Sequence, residues 1–234
     1  MADVAPVVTT RSAVCVLGRF PALAGADLDV ARGEILLLSG ANGAGKSTLL
    51  KLLAGLVPLR SGRAIVLGCD LSVDRRSHRR RLALVGHDTG CYDDLTAREN
   101  LRFAVRATGG DVATVDATLD RLGLAEVARV HHADLSAGQR RRLALATAFA
   151  RDVDLLLLDE PHAGLDAEGR ALLDGMLHDS AVAGRTVVFA SHELERARSL
   201  AHREVLVDRG TLIGGALSQP TAPEPVGAVS GGGG

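Results

Sequence analysis

The stretch that most constrains this chain is Gly40-Ala41-Asn42-Gly43-Ala44-Gly45-Lys46-Ser47-Thr48. It follows the apolar run Ile35–Leu38 and opens onto Leu49, Leu50, Leu52 and Leu53, which are apolar at helical spacing. Strand, glycine-rich loop and helix in that order form the context a phosphate-binding loop requires. The glycines let the backbone curl until several N–H groups converge on phosphate oxygens. Lys46 adds a positive charge and the helix N-terminus its partial positive dipole end. Ser47 is placed to set a hydroxyl on a nucleotide-bound Mg²⁺.

A loop of this kind needs a buried sheet behind it, and the chain supplies one. Leu155–Leu158 is a continuous apolar run, which reads as a strand buried on both faces and hence as part of a parallel sheet. Hydrophobic residues make up 47% of the chain but aromatics only 2%, so the core must be aliphatic. In an open parallel α/β sheet, ligands bind outside the carboxyl ends of the strands. Asp159 and Glu160 follow the leucine run directly. Asp159 is placed to hold Mg²⁺ and Glu160 to polarise an attacking water. His192 ends the next strand, Thr186–Ala190, where it can donate to a phosphate or position water while Glu160 acts as base.

Elsewhere the patterns are local. Ala13–Leu17 is strand-like, and Ala24, Ala26, Leu28 and Val30 alternate with Gly25, Asp27 and Asp29 as in a half-exposed antiparallel strand. Phe20, between them, is either a core residue or an aromatic face for adenine. Ala64–Gly68 reads as an edge strand, and the basic run Arg75–Arg81 as the solvated face of a short helix. Leu82–Gly86 is a buried strand. Residues 96–130 are expected to be helical, with Thr96 and Glu99 in capping-box spacing, a break at Gly109-Gly110 and a second amphipathic face through Val112, Val115, Leu119 and Leu122 that Gly123 ends. His131 and His132 are adjacent, cannot share a helix face as metal ligands, and are expected at the surface. Helices are also expected near Ala167–His178 and from Glu193, and Glu204–Ile213 reads as a hairpin.

The segment Ser136-Ala137-Gly138-Gln139 opens another helix, again with capping-box spacing. Physically it is a second anion site: a hydroxyl, a glycine that lets N–H groups approach, and a helix dipole. One nucleotide on one phosphate loop does not need it, and that surplus decides the reading.

Taken together, these segments resemble the ATP-binding subunit of an ATP-binding cassette (ABC) transporter from about residue 12 to 215. Gly40–Thr48 resembles the Walker A loop, Leu155–Asp159 the Walker B strand, and Glu160 the catalytic glutamate. Leu135–Gln139 resembles the signature LSGGQ with Ala137 for its first glycine. Gly164-Leu165-Asp166 resembles the D-loop and His192 the switch histidine. The resemblance implies an α/β fold: a P-loop NTPase core with a mostly parallel sheet, an N-terminal antiparallel β subdomain and a helical signature subdomain at about 93–150. Residues 12–217 would form this nucleotide-binding domain, between a loosely structured 1–11 and a flexible Pro/Gly-rich tail at 218–234.

The resemblance further implies a second copy packed head to tail, each ATP lying between one P-loop and the other chain's signature helix and D-loop Asp166. It also implies transmembrane permease subunits as partners. Two departures stand out. The family's Q-loop glutamine is expected to be replaced by Asp88, able to ligand Mg²⁺ but not to donate an amide. His162 stands where an aromatic is common, as a surface change. The loop Val85–Asp88, Ala137 and the run Tyr92–Leu101 are similar to the haem-exporter subunit of cytochrome c maturation. Another small-molecule, lipid or drug exporter, or a soluble regulatory ATPase of the same family, is the alternative.

Charge and cysteine content fit. A net charge of −1 argues against coating nucleic acid or an anionic membrane. The three cysteines lack metal or redox spacing and read as thiols in a reducing compartment. No basic-then-apolar leader opens the chain, and no apolar run approaches the roughly 18 residues of a membrane span. The protein is expected in the cytoplasm, on the cytoplasmic face of the cell membrane only through its partners.

Overall fold

The computed structural model describes residues 5–151 and 153–215, so the expected tail at 218–234 lies outside the described residues. Three apolar segments can leave neither face in water, and they form the centre of a six-stranded sheet: β3 (Ile35–Ser39), β7 (Leu155–Asp159) and β8 (Thr186–Ala190). β7 and β8 pair in parallel with Leu157↔Val188 and Leu158↔Phe189, and β3 pairs with β8 through Leu36↔Val188. β6 (Leu82–Val85) closes one edge, and β9 (Arg203–Asp208) with the antiparallel β10 (Thr211–Ile213) closes the other. Successive side chains take opposite faces. Leu36, Leu38, Leu155, Leu157 and Val188 pack with Leu49, Leu50, Leu52 and Leu53 of α1 (Lys46–Leu53). Leu37, Leu156, Leu158, Val187 and Phe189 pack on the opposite layer, with Leu101, Leu143 and Leu173. At about 1.5–3 kcal/mol per buried aliphatic side chain, this alternation is what makes a run of four leucines a strand.

An antiparallel sheet in the order β2-β1-β4-β5 covers α1. Strand β1 runs Val8–Leu17, so Val8–Arg11 are strand and not loose chain. Pairing on both sides recruits them: Val8 pairs with Val30 of β2 (Phe20–Val30) and with Val66 of β4 (Ser61–Val66). The expected alternation in β2 breaks at Gly25 (φ 95°), where the register slips. Beyond that bulge Leu23 is buried and Ala24 exposed. β4 is not an edge. Leu67 (φ 51°) and Gly68 (φ 83°) turn the chain back so that β5 (Cys69–Asp70) pairs beside it. Arg203 of β9 joins the two sheets, bonding Glu34 at 2.8 Å and the backbone carbonyl of Asp29 in β2.

The helical layer contains α2 (Ala97–Ala107), α3 (Thr114–Arg121), α4 (Ala137–Phe149), α5 (Ala167–Val182) and α6 (Leu194–Leu200). Thr96 and Glu99 form the expected capping box. The break expected at Gly109-Gly110 separates α2 from α3, α3 ends before Gly123 as expected, and 124–130 is not helix. There, Val130 and Ala128 turn their carbonyls to the N–H groups of Ala97 and Arg98, occupying donors that open α2.

The basic run is not a solvated face throughout. His78, in a 3₁₀ turn at Ser77–Arg81, is buried, and its Nε2–H donates to Leu53 O at 3.0 Å, at the C-terminus of α1. Burial holds its pKa below the ordinary 6.5, opposed by the Leu53 hydrogen bond and by Asp74 and reinforced by Arg79. The unfolded chain therefore binds a proton that the folded chain resists, and stability falls as pH drops below about 6.5. Chemical denaturation at pH 7 and pH 5 should show a smaller loss for His78→Gln, which keeps a donor but cannot titrate, than for the wild type. Equal losses would remove His78 from this account.

Candidate functional site

The carboxyl ends of β3, β6 and β7 open onto one cavity of about 820 Å³. Asn42, Gly43, Gly45, Lys46, Ser47 and Thr48 line one side, and Asp159, Glu160, Ala163 and Gly164 another. His87 and Thr89 enter from the segment after β6, and Ala137, Arg140 and Arg141 from the start of α4. Leu17 and Ala22 complete the lining.

The loop's curl is imposed by its neighbours. Gly40 has φ 128°, and a Cβ there would stand 2.1 Å from Val207 O of β9. Gly45 (φ 118°) caps α1 and would meet Ala22 O at 2.6 Å. Glycine is therefore required at both positions by contact as well as by torsion. Gly40, Ala41 and Ala44 do not line the cavity. Lys46 is buried, and its Nζ donates to Gly40 O at 2.6 Å and Ala41 O at 3.1 Å.

Glu160 sits directly after β7 with φ 49°, a left-handed conformation that a side chain with Cβ seldom takes. Its N–H donates to Ala190 O at 2.9 Å. Two donors of His192 converge on its Oε2: the ring Nδ1–H at 2.7 Å and the backbone N–H at 3.1 Å. Arg141 is pulled below the usual guanidinium range by burial, an effect the Asp159 and Glu160 carboxylates offset in part.

A sequence model described as ABC transporter matches residues 23–163. The chain belongs to the ABC transporter family. It is 44% identical over 168 residues to the "Cytochrome c biogenesis ATP-binding export protein CcmA" of Bordetella bronchiseptica, covering 71% of this chain and 75% of that one. It is 40% identical over 186 residues to the protein of the same name in Rhodopseudomonas palustris, covering 79% and 90%. A solved "Structure of ATP binding subunit of ABC transporter" superposes with a TM-score of 0.82 at 26% identity, covering 88% of both chains. This ABC ATPase therefore binds and hydrolyses ATP.

Several expected site residues of this ABC ATPase stand elsewhere. Phe20 is 79% exposed, neither core nor cavity lining; Leu17 and Ala22 take that side. Asp88 is exposed and outside the lining, and His87 is there instead. Counting one for one from Val85↔Leu158 sets His87 level with Glu160, a register that could have identified it. Of the signature residues only Ala137 lines this cavity, while Ser136, Gly138 and Gln139 do not. Asp166 caps α5, accepting from Gly169 N–H at 2.9 Å, and pairs with Arg142 at 3.2 Å.

Two histidines expected at the surface are buried. His162 bonds Asp174 of α5 at 2.9 Å, and Asp174 also pairs with Arg196 of α6, joining the segment after Glu160 to the helix after His192. His132 bonds Asp93 at 2.7 Å and Thr89 at 3.2 Å, joining the cavity wall to the segment before the signature. His131 is exposed.

Ser136 and Gln139 form a full capping box: Ser136 Oγ accepts from Gln139 N–H at 3.2 Å, and Gln139 Oε1 accepts from Ser136 N–H at 2.9 Å. Ser136→Ala should therefore cost about 1 kcal/mol in denaturant unfolding, whereas Ser136→Asp, an equally good cap, should cost almost nothing. If both variants lost the same stability, the hydroxyl's capping role would be wrong.

Proposed function

We propose that this chain is the ATP-hydrolysing subunit of a haem exporter serving cytochrome c maturation, working on the cytoplasmic face of the cell membrane beside transmembrane permease subunits. The names of its relatives support the exporter role, and no helix among the described residues is long and apolar enough to cross a membrane itself.

In this reading the P-loop backbone from Gly40 to Thr48 cradles the phosphates, and Lys46 leaves the loop carbonyls to pair with them. Ser47 and Asp159 both line the cavity, and their hard oxygen donors suit Mg²⁺. Among the described residues no group of three His, Cys, Asp or Glu could hold a metal alone, so phosphate oxygens would complete the set. Bound there, Mg²⁺ would neutralise phosphate charge. His87 lines the cavity where Asp88, expected as a Mg²⁺ ligand, does not.

The observation that carries the chemistry is the fixed carboxylate of Glu160. Both His192 donors fall on Oε2, and in this reading Oε1 takes the proton of the attacking water. As water's oxygen bonds the γ-phosphorus and the bond to ADP breaks, Glu160 takes that proton, and His192 keeps the carboxylate aimed. Ser136, Gly138 and Gln139, at the start of α4, do not line this cavity, and in this reading they meet the phosphates of a second copy's ATP, with Asp166 nearby. The unit of function is then a homodimer.

Glu160→Gln should lower kcat roughly 10²–10⁴-fold, about 3–5 kcal/mol of barrier, while ATP still binds. Wild-type turnover in that variant would overturn the assignment. Lys46→Ala should instead abolish ATP binding, measured with a fluorescent nucleotide, and retained tight binding would contradict the P-loop role.

A further inference from the structure

Arg140, Arg141 and Arg142 are consecutive on α4, so their side chains leave the helix about 100° apart. Arg140 and Arg141 both line the cavity, Arg142 pairs with Asp166, and Arg141 also reaches between the strand ends. Its Nη1–H donates to Gly86 O at 2.7 Å, just past β6. Its Nη2–H groups donate to Asp159 O at 2.8 Å and Glu160 O at 2.7 Å, the carbonyls of the peptides that enter and leave Glu160. One guanidinium thus holds three carbonyls from two neighbouring parallel strands.

We propose that Arg141 is a positioning residue for ATP hydrolysis, bracing the backbone of Glu160 and thereby setting where its carboxylate stands. This rests on the reading of Glu160 as the general base. A glutamate at φ 49° keeps that conformation only where the surroundings over-determine it. The Ala190 carbonyl holds its N–H, and Ala163 N–H reaches its O at 3.1 Å. Arg141 adds the charged, planar anchor to that same O and to the carbonyl before it. The brace stands on the second turn of the helix that Ser136 caps.

The test compares steady-state ATP hydrolysis by the full chain carrying Arg141→Met or Arg141→Lys, each alone and combined with Glu160→Gln. Arg141→Met should lower kcat roughly 10–100-fold, the scale of a misplaced catalytic group, and leave KM for ATP unchanged. Arg141→Lys should recover part of the loss, because an ammonium reaches one carbonyl where the fork reaches three. With Glu160→Gln already present, neither change should lower the residual rate further.

A rise in KM that accounts for the loss would show Arg141 touching nucleotide, and an equal fold-loss in the Glu160→Gln background would show it acting on its own. Either result, or an unchanged kcat, overturns the proposal. Full turnover by Glu160→Gln alone would instead sink the general-base reading, which separates the two failures. Should circular dichroism show Arg141→Met unfolded, Arg141→Lys carries the same comparison with the same outcomes.

Discussion

Parallel pairing of β3, β7 and β8, each buried on both faces, is the constraint on which the rest depends. Parallel strands end on the same side, so Ser39, Asp159 and Ala190 arrive at one edge of the sheet. The P-loop, Glu160 and His192 each follow one of those ends directly. The two-sided leucine and valine packing keeps that edge rigid, with α1 on one face and α2, α4 and α5 on the other. The side chains that carry the proposed chemistry are therefore placed by strands, and only their last few ångströms are left to loops.

At that edge, local contacts do the finer placing. Glu160 is held in a left-handed turn by Ala190 above it, by Arg141 beneath it and by His192 on its carboxylate. His162 and Asp174 then join the next segment to α6. No single bond among these is worth more than a few kcal/mol, but they share one short backbone, and a conformation this unusual needs several partners.

Much of this was legible in the sequence because it is local. A strand–loop–helix unit, capping boxes at Thr96 and Ser136, and four consecutive leucines each announce themselves within ten residues. What was misread depends on partners far along the chain. Val8–Arg11 carries no strong pattern and becomes strand only because β2 and β4 flank it. Asp88 was expected at the site because it stands at the family's Q-loop position, yet the register between β6 and β7 brings His87 to the cavity. His78 in its basic run, His132 beside His131, and His162 at a position where an aromatic is common were all expected at the surface, but each is buried against an acceptor or carboxylate supplied from elsewhere. Arg141 was one of three identical neighbours, and only the fold distinguishes it.

The proposed half-site follows from where α4 begins. Ser136, Gly138 and Gln139 form an anion-suited helix start that their own cavity does not use, so the P-loop's remaining phosphate ligands would come from a second copy. Mixing two complementary variants tests this most directly. With Glu160→Gln in both chains to slow turnover, one chain also carries Lys46→Ala and the other Ser136→Asp, and sedimentation velocity follows them in ATP and Mg²⁺. Each variant alone should remain monomeric. Their mixture should form an ATP-dependent dimer, because one intact P-loop then faces one intact signature. A mixture that stays monomeric, where Glu160→Gln alone dimerises, would contradict a site shared between chains.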